Sequence, residues 1–267
     1  MDLQLKGKCA LITGGSRGIG LAVAKVLAGE GAHVALIGRD GAAAEQAAAG
    51  IGAAYGVKAV GLSCDTRDDA AVPAMVARVV EALGGVDIVV NSAAAPAGQK
   101  KPPNSAEVTQ AHLEEHINTK VMGYLRVAQA AMPHMVAKGW GRIISISGTG
   151  MYRAAGDPVG AIRNAGVVAM SKNLAQDLAG TGVTTSVLHP GMTRTENVDA
   201  MIEAKAKAAG TSFEEEMAKM AAGTINGVVP SADDMAYIVA FLASPLSSSI
   251  NGEVITATGG RPGIVTY

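Results

Sequence analysis

A chain of 267 residues that is 49% hydrophobic and 17% charged can bury a substantial core, and this composition excludes a disordered protein. A formal net charge of -1 and an aromatic fraction of 3% leave neither the basic surface nor the stacking platforms of a nucleic-acid binder.

The N-terminal stretch MDLQLKGKCALITGG reaches a glycine turn before any apolar run is long enough for a signal peptide or a membrane span. A cytoplasmic protein with no membrane partner is the expectation. Cys9 and Cys64 lie in apolar, strand-like runs without metal-ligand spacing, so they read as buried thiols in a reducing compartment, and no metal site is expected.

From that point short apolar runs alternate with Ala-rich stretches of helical length. The runs are CALIT (9–13), HVALIG (33–38), AVGLSC (59–64), VDIVVN (86–91), RIISIS (142–147), TTSVLHP (184–190) and EVITATG (253–259). This alternation predicts βαβ units and an α/β fold: a doubly wound, Rossmann-type parallel sheet in a three-layer αβα arrangement. The runs are continuously apolar because a parallel sheet buries both of its faces. No linker divides the chain, so a single domain over 1–267 is expected. One segment departs from the repeat, at about 193–229, with helical MIEAKAKAAG and FEEEMAKMAA stretches. It follows a strand end, where open α/β sheets place their ligands, and it reads as a lid over a substrate pocket.

Directly after the first run stands TGGSRGIG, Thr13 to Gly20, leading into the helical LAVAKVLAGEG. Gly14 permits a tight turn, Gly18 lets the backbone approach a pyrophosphate, and Gly20 allows close helix packing, with the helix N-terminus facing the phosphates. The strand before it and the helix after it give the string its meaning. At the end of the second strand Gly38 and Arg39 stand where a carboxylate would bind the ribose 2'-hydroxyl of NAD. Arg39, helped by Arg17, can pair with a 2'-phosphate, which favours NADP(H) over NAD(H) although Asp40 is next door.

TGGSRGIG resembles the TGxxxGxG turn of the short-chain dehydrogenase/reductase family, and further matches follow in order along nearly the whole chain. Cys64-Asp65 resembles the acidic residue placed against the adenine, and Asn91-Ser92-Ala93-Ala94 resembles the NNAG segment. Asn118 matches the helix asparagine of the family's proton relay. Pro190-Gly191, with Thr193 and Thr195, resembles the PG segment that closes over nicotinamide and pyrophosphate, and FLASPLSSSINGEVITATGG is similar to the last helix and strand. The resemblance implies cofactor contacts from Gly14, Ser16, Arg17, Gly18, Ile19 and Gly20 in the turn, and from Arg39, Asp65, Thr66, Asn91 and Ala93 at the following strand ends. Later in the chain it implies contacts from Asn164, Pro190, Gly191, Thr193 and Thr195. It also implies an oxidoreductase acting on a small carbonyl or alcohol substrate, assembled as a homodimer or homotetramer.

The family's chemistry uses a serine, a tyrosine, and a lysine one helical turn later that lowers the tyrosine's pKa from near 10. Ser147 is the candidate serine, although a shift of a single residue would put Gly148 there. Aligning NAGVVAMSKNLA with the family's helix places Gly160 at the tyrosine and Asn164 at the lysine, so both groups are missing, and Gly160 is expected to leave an unfilled space. Asn164 can hydrogen-bond a ribose hydroxyl but carries no charge. Tyr152, in the loop after Ser147, is the candidate substitute acid; Arg153, Asp157, Arg163 and His189 are polar residues near the same strand ends, with Arg163 expected to point off the cofactor face. Two functions stay open: an NADP(H)-dependent oxidoreductase using Ser147, Asn118 and Tyr152, or a non-catalytic dinucleotide-binding sensor or structural partner of active subunits.

Overall fold

In the computed structural model, residues 1–94, 102–152 and 156–262 are described. All seven apolar runs form strands: β1 (Cys9–Thr13), β2 (His33–Gly38), β3 (Ala59–Ser63), β4 (Ile88–Asn91), β5 (Gly141–Ile146), β6 (Val183–Pro190) and β7 (Glu253–Ala257). They build one sheet in the order β3-β2-β1-β4-β5-β6-β7, and every neighbouring pair is parallel. The order reverses between β1 and β4, so a crevice opens at their carboxyl ends.

Strand alternation decides which helix covers which face. Ala10, Ile12, Val34, Leu36, Ile88 and Val90 point to one side, under α1 (Gly18–Gly29), α2 (Gly41–Tyr55) and α9 (Ala232–Ala243). Leu11, Ala35, Ile37, Val89 and Ile143 point to the other, under α3 (Ala71–Leu83), α5 (Gly123–Lys138) and the end of α6 (Pro158–Asp177). Three layers result, as the continuous apolar runs require. Cys9 and Cys64 are free, buried thiols, and burial pushes both up in pKa.

Two departures from regularity position the site. The rod formed by α4 (Gln110–His116) and α5 is interrupted by a π-helical turn, Ile117–Met122, which carries Asn118 and Lys120; such turns re-aim side chains and recur at functional sites. The second is the excursion after β6, with α7 (Glu196–Ala209) and α8 (Phe213–Ala221). Its ends meet where Arg194 N–H donates to the Pro230 carbonyl at 2.8 Å. Its two helices are clamped by the buried Glu216 carboxylate, which takes hydrogen bonds from Lys205, Lys219 and Thr211; these hold its carboxyl down at about 2. Among the described residues no helix is long and apolar enough to cross a membrane, and no cluster of His, Cys, Asp and Glu could hold a metal.

Candidate functional site

The glycine turn sits in the crevice between β1 and β4. Gly14 and Gly18 adopt left-handed φ values of +66° and +54°. A Cβ at position 20 would lie 2.3 Å from the Gly14 carbonyl oxygen, so only glycine lets α1 start this close beneath the turn. The Thr13 hydroxyl oxygen accepts from the Ser92 and Ala93 N–H groups at 3.1 Å each, tying the turn to the end of β4. Ser16 and Ile19 are half-buried and Arg17 is exposed. At the N-terminus of α1 the Gly18 N–H donates to the Glu196 carboxylate at 3.2 Å. A carboxylate therefore stands where the helix N-terminus favours an anion. Thr195 lies against the same turn, its methyl 3.6 Å from where a Cβ of Gly18 would be.

Along the crevice Arg39 is exposed at the end of β2, its carbonyl accepting from the Ser63 hydroxyl, while Asp40 caps α2 by accepting from Ala43 N–H at 3.0 Å. Asp65 is paired with Arg67 at 2.6 Å, and the hydrogen bonds from that guanidinium hold its carboxyl below the usual range. Thr66 is buried against Gly123, where a Cβ would meet its hydroxyl at 2.9 Å. Asn91 is wholly buried, its amide donating to the Tyr124 carbonyl at 3.3 Å while Oδ1 has no partner among the described residues. At the end of β6, Gly191 lies 3.0 Å, measured from an added Cβ, from the Thr258 backbone, and the Thr193 hydroxyl donates to the Gly191 carbonyl at 3.2 Å.

Next to this crevice, β5, β6, α6 and the π turn bring a polar cluster together. Lys120 is only 5% exposed, and its Nζ donates to the Ser147 carbonyl at 3.0 Å and to Asn164 Oδ1 at 3.1 Å. Burial pushes its ammonium down to about 7, helped by the Arg163 charge. The Ser147 hydroxyl is buried and donates to the Asn164 carbonyl at 3.2 Å. The expectation that this hydroxyl faces the nicotinamide pocket is corrected here: it closes the β5–α6 contact instead. The residue facing the Asn164 amide is Gly148, where a Cβ would sit 3.0 Å from Nδ2.

Asp157 caps α6, accepting from Gly160 N–H at 2.8 Å, and its Oδ2 lies 2.0 Å from where a Cβ at 160 would be. Asn118 is half-buried on the π turn, and its carbonyl accepts from Arg126 at 3.4 Å. Arg163 runs to His116 Nδ1 at 2.7 Å, beside a cavity of about 10 Å³ lined by Glu115, His116, Thr119, Lys120 and Arg163. His189 is fully buried, and its Nδ1 accepts from Gly148 N–H at 2.9 Å, which puts the ring proton on Nε2, an atom with no partner among the described residues. Burial, with the Lys120 charge, pushes this imidazole down to about 4, so it is neutral.

Tyr152 packs edge-on against His189, ring centres 5.3 Å apart, and lines a cavity of about 540 Å³ shared with Thr149, Ile225, Ile238 and the carboxyl end of β7. A second phenol, Tyr124, is buried, donates to the Ile146 carbonyl at 3.0 Å and is pushed up in pKa by burial, which leaves it no free proton for chemistry. Arg153 lies outside the described residues. Sequence reasoning missed Lys120 and Glu196; the only signal for Lys120 was a lysine directly before the apolar Val121 and Met122 in the turn INTKVM.

A doubly wound parallel sheet with a glycine turn in its switch-point crevice defines a Rossmann-type protein. Within that class the chain belongs to the short chain dehydrogenase family, whose model matches residues 8–206. The chain is 30% identical over 261 residues, 97% of its length and 99% of the relative's, to the 3-oxoacyl-(acyl-carrier-protein) reductase FabG of Aquifex aeolicus. Among solved structures, the L-sorbose reductase of Gluconobacter frateurii complexed with NADPH and L-sorbose superposes with a TM-score of 0.92 at 26% identity, covering 99% of this chain and 100% of that one. A short chain dehydrogenase of Burkholderia cenocepacia in complex with NADP gives a TM-score of 0.81 at 34% identity over 96% and 98% of the two chains.

Proposed function

We propose that this chain is an NADP(H)-dependent oxidoreductase that interconverts a carbonyl and an alcohol, with Tyr152 in place of the family's usual proton donor. The observation that carries the reading is the anion cradle at α1, where Gly18 N–H already binds a carboxylate and Gly20 leaves no room for a side chain. The residues present therefore fit a pyrophosphate, and similarity to reductases solved with NADPH and NADP supports the choice of cofactor. Arg39 and Arg17, both exposed beside the crevice, would pair with the 2'-phosphate in preference to a bare ribose.

When bound, the cofactor supplies the hydride. Gly14 and Gly18 would hold the pyrophosphate, with Gly20 keeping α1 close beneath the turn, and Asn164 would offer its amide to the ribose. Tyr152, in the wall of the 540 Å³ cavity, would give its phenol proton to the substrate oxygen and regain one from water. The excursion over 193–229 closes this cavity as a lid, with Ile225 in its wall. Assembly is as a homodimer or homotetramer.

The test is a binding titration with NADPH followed by a turnover screen over ketones and alcohols. Tyr152→Phe should lower turnover by at least about 100-fold with NADPH affinity unchanged. The second reading, a dinucleotide-binding sensor or structural partner, is favoured by one observation: positions 160 and 164 are Gly and Asn, and Ser147 is turned into the helix. Tight NADPH binding with no turnover on any substrate would select it.

A further inference from the structure

Lys120 is buried without a carboxylate within ion-pair distance among the described residues. Its hydrogen-bond partners are two neutral oxygens, one on the backbone just past the end of β5 and one on a side chain of α6. Burying an ammonium in this way opposes folding, and an apolar side chain of similar length would fill the space at lower cost. Stability therefore does not account for a cation at this position.

What the cation does is choose the orientation of an amide. Lys120 has only donors, so the Asn164 oxygen must face it and the NH2 must face away. The NH2 points at Gly148 and Gly150, 3.0 and 3.6 Å from where their Cβ atoms would be, and it has no hydrogen bond to a described residue. Glycine at both positions leaves that donor open toward the turn Thr149–Tyr152, which forms one wall of the 540 Å³ cavity. An ammonium on the oxygen side also polarises the amide and strengthens its N–H groups as donors.

We propose that Lys120 is the positioning cation of the cofactor site: it fixes and polarises the Asn164 amide so that its NH2 binds a hydroxyl oxygen of the nicotinamide ribose. The charge that the α6 helix lacks at position 164 is thus supplied from the π turn, through that side chain. This rests on the NADP(H) reading above.

The groups facing Lys120 are Arg163 from α6, His189 from β6 and, from α4, Glu115 and His116; behind them Asp157 acts on His116 and Tyr152 packs on His189. Burial and the Arg163 charge push His116 below its ordinary 6.5, and His189 lies at about 4, so the group expected to give an inflection in cofactor affinity near pH 7 is Lys120. The protonated form is the one that polarises Asn164, so affinity should fall as pH rises through about 7.

The experiment is NADPH affinity by fluorescence titration across this range for the unmodified protein, Lys120→Met and Asn164→Ala, with the double variant closing the cycle. Lys120→Met should bind about tenfold more weakly at acidic pH and show no inflection. In the Asn164→Ala background the same change should have little further effect. Lys120→Gln, which keeps a donor without the charge, should also be flat and serves if the Met variant does not fold. An unchanged inflection in both neutral variants, or full additivity with Asn164→Ala, overturns the role of Lys120 while leaving the cofactor reading intact. Failure of the unmodified protein to bind NADPH overturns both.

Discussion

The backbone N–H of Gly18 donates to the side chain of Glu196, so the first turn of α7 places a carboxylate on the N-terminus of α1. The excursion after β6 and the glycine turn are joined by the contact that a pyrophosphate would need. A pyrophosphate entering at this turn would displace Glu196 and leave its charge close to the phosphates. Glu196→Gln should therefore tighten NADPH by about threefold, an effect that shrinks at high salt. A titration at low and high ionic strength checks this.

Arg39 is exposed at the end of β2, its side chain free of hydrogen bonds to described residues. Replacing it by Asp puts a carboxylate where a 2'-phosphate would lie and gives the ribose hydroxyl an acceptor. NADPH affinity should fall and NADH affinity rise, reversing the preference. Equal affinities for the two cofactors in the unmodified protein would contradict the assignment.

Lys120 and Asn164 touch at 3.1 Å, so Asn164→Lys would set a second ammonium against the first in a buried site. The single change should lower the thermal midpoint sharply, and adding Lys120→Met should recover most of the loss. Gly160→Tyr meets a further obstacle, since the Asp157 carboxylate must first swing out of its cap. Reduction of an activated ketone should rise only when Gly160→Tyr and Asn164→Lys are combined with Lys120→Met.

Stability should carry the signature of the same lysine. The folded pKa of Lys120, about 7, lies below its ordinary value of 10.5, so between these limits the unfolded chain binds the extra proton and stability rises with pH. Below about 7 that contribution is gone. Thermal unfolding of the unmodified protein minus that of Lys120→Met, followed from neutral to alkaline pH, should show this slope; a flat difference would mean the buried ammonium is not strained.

A methyl group at Gly20 would be driven into the Gly14 carbonyl at 2.3 Å, and backbone has little freedom to give way. Gly20→Ala should cost about 3 kcal/mol or more and abolish NADPH binding, whereas Gly50→Ala, with nothing within 4 Å of the added atom, should be neutral or slightly stabilising. Thermal melts of the two variants make the comparison.

The architecture was legible because its causes are local. An apolar run bounded by turn residues favours a strand wherever it lies in the chain, and all seven runs became strands. The spacing of Gly14, Gly18 and Gly20 encodes a turn whose geometry needs no distant partner, and the identities of residues 160 and 164 are fixed by the sequence itself. Tertiary structure decided the rest. Whether Ser147 points to a pocket or to a helix depends on how β5 meets α6, and the rotation of a single side chain is not written in periodicity. The contacts between Lys120 and Asn164 and between Gly18 and Glu196 join segments 44 and 178 residues apart. Hydrophobic pattern reports which face of an element is buried, not which polar atom waits on the other side, so only the packed fold could bring those pairs together.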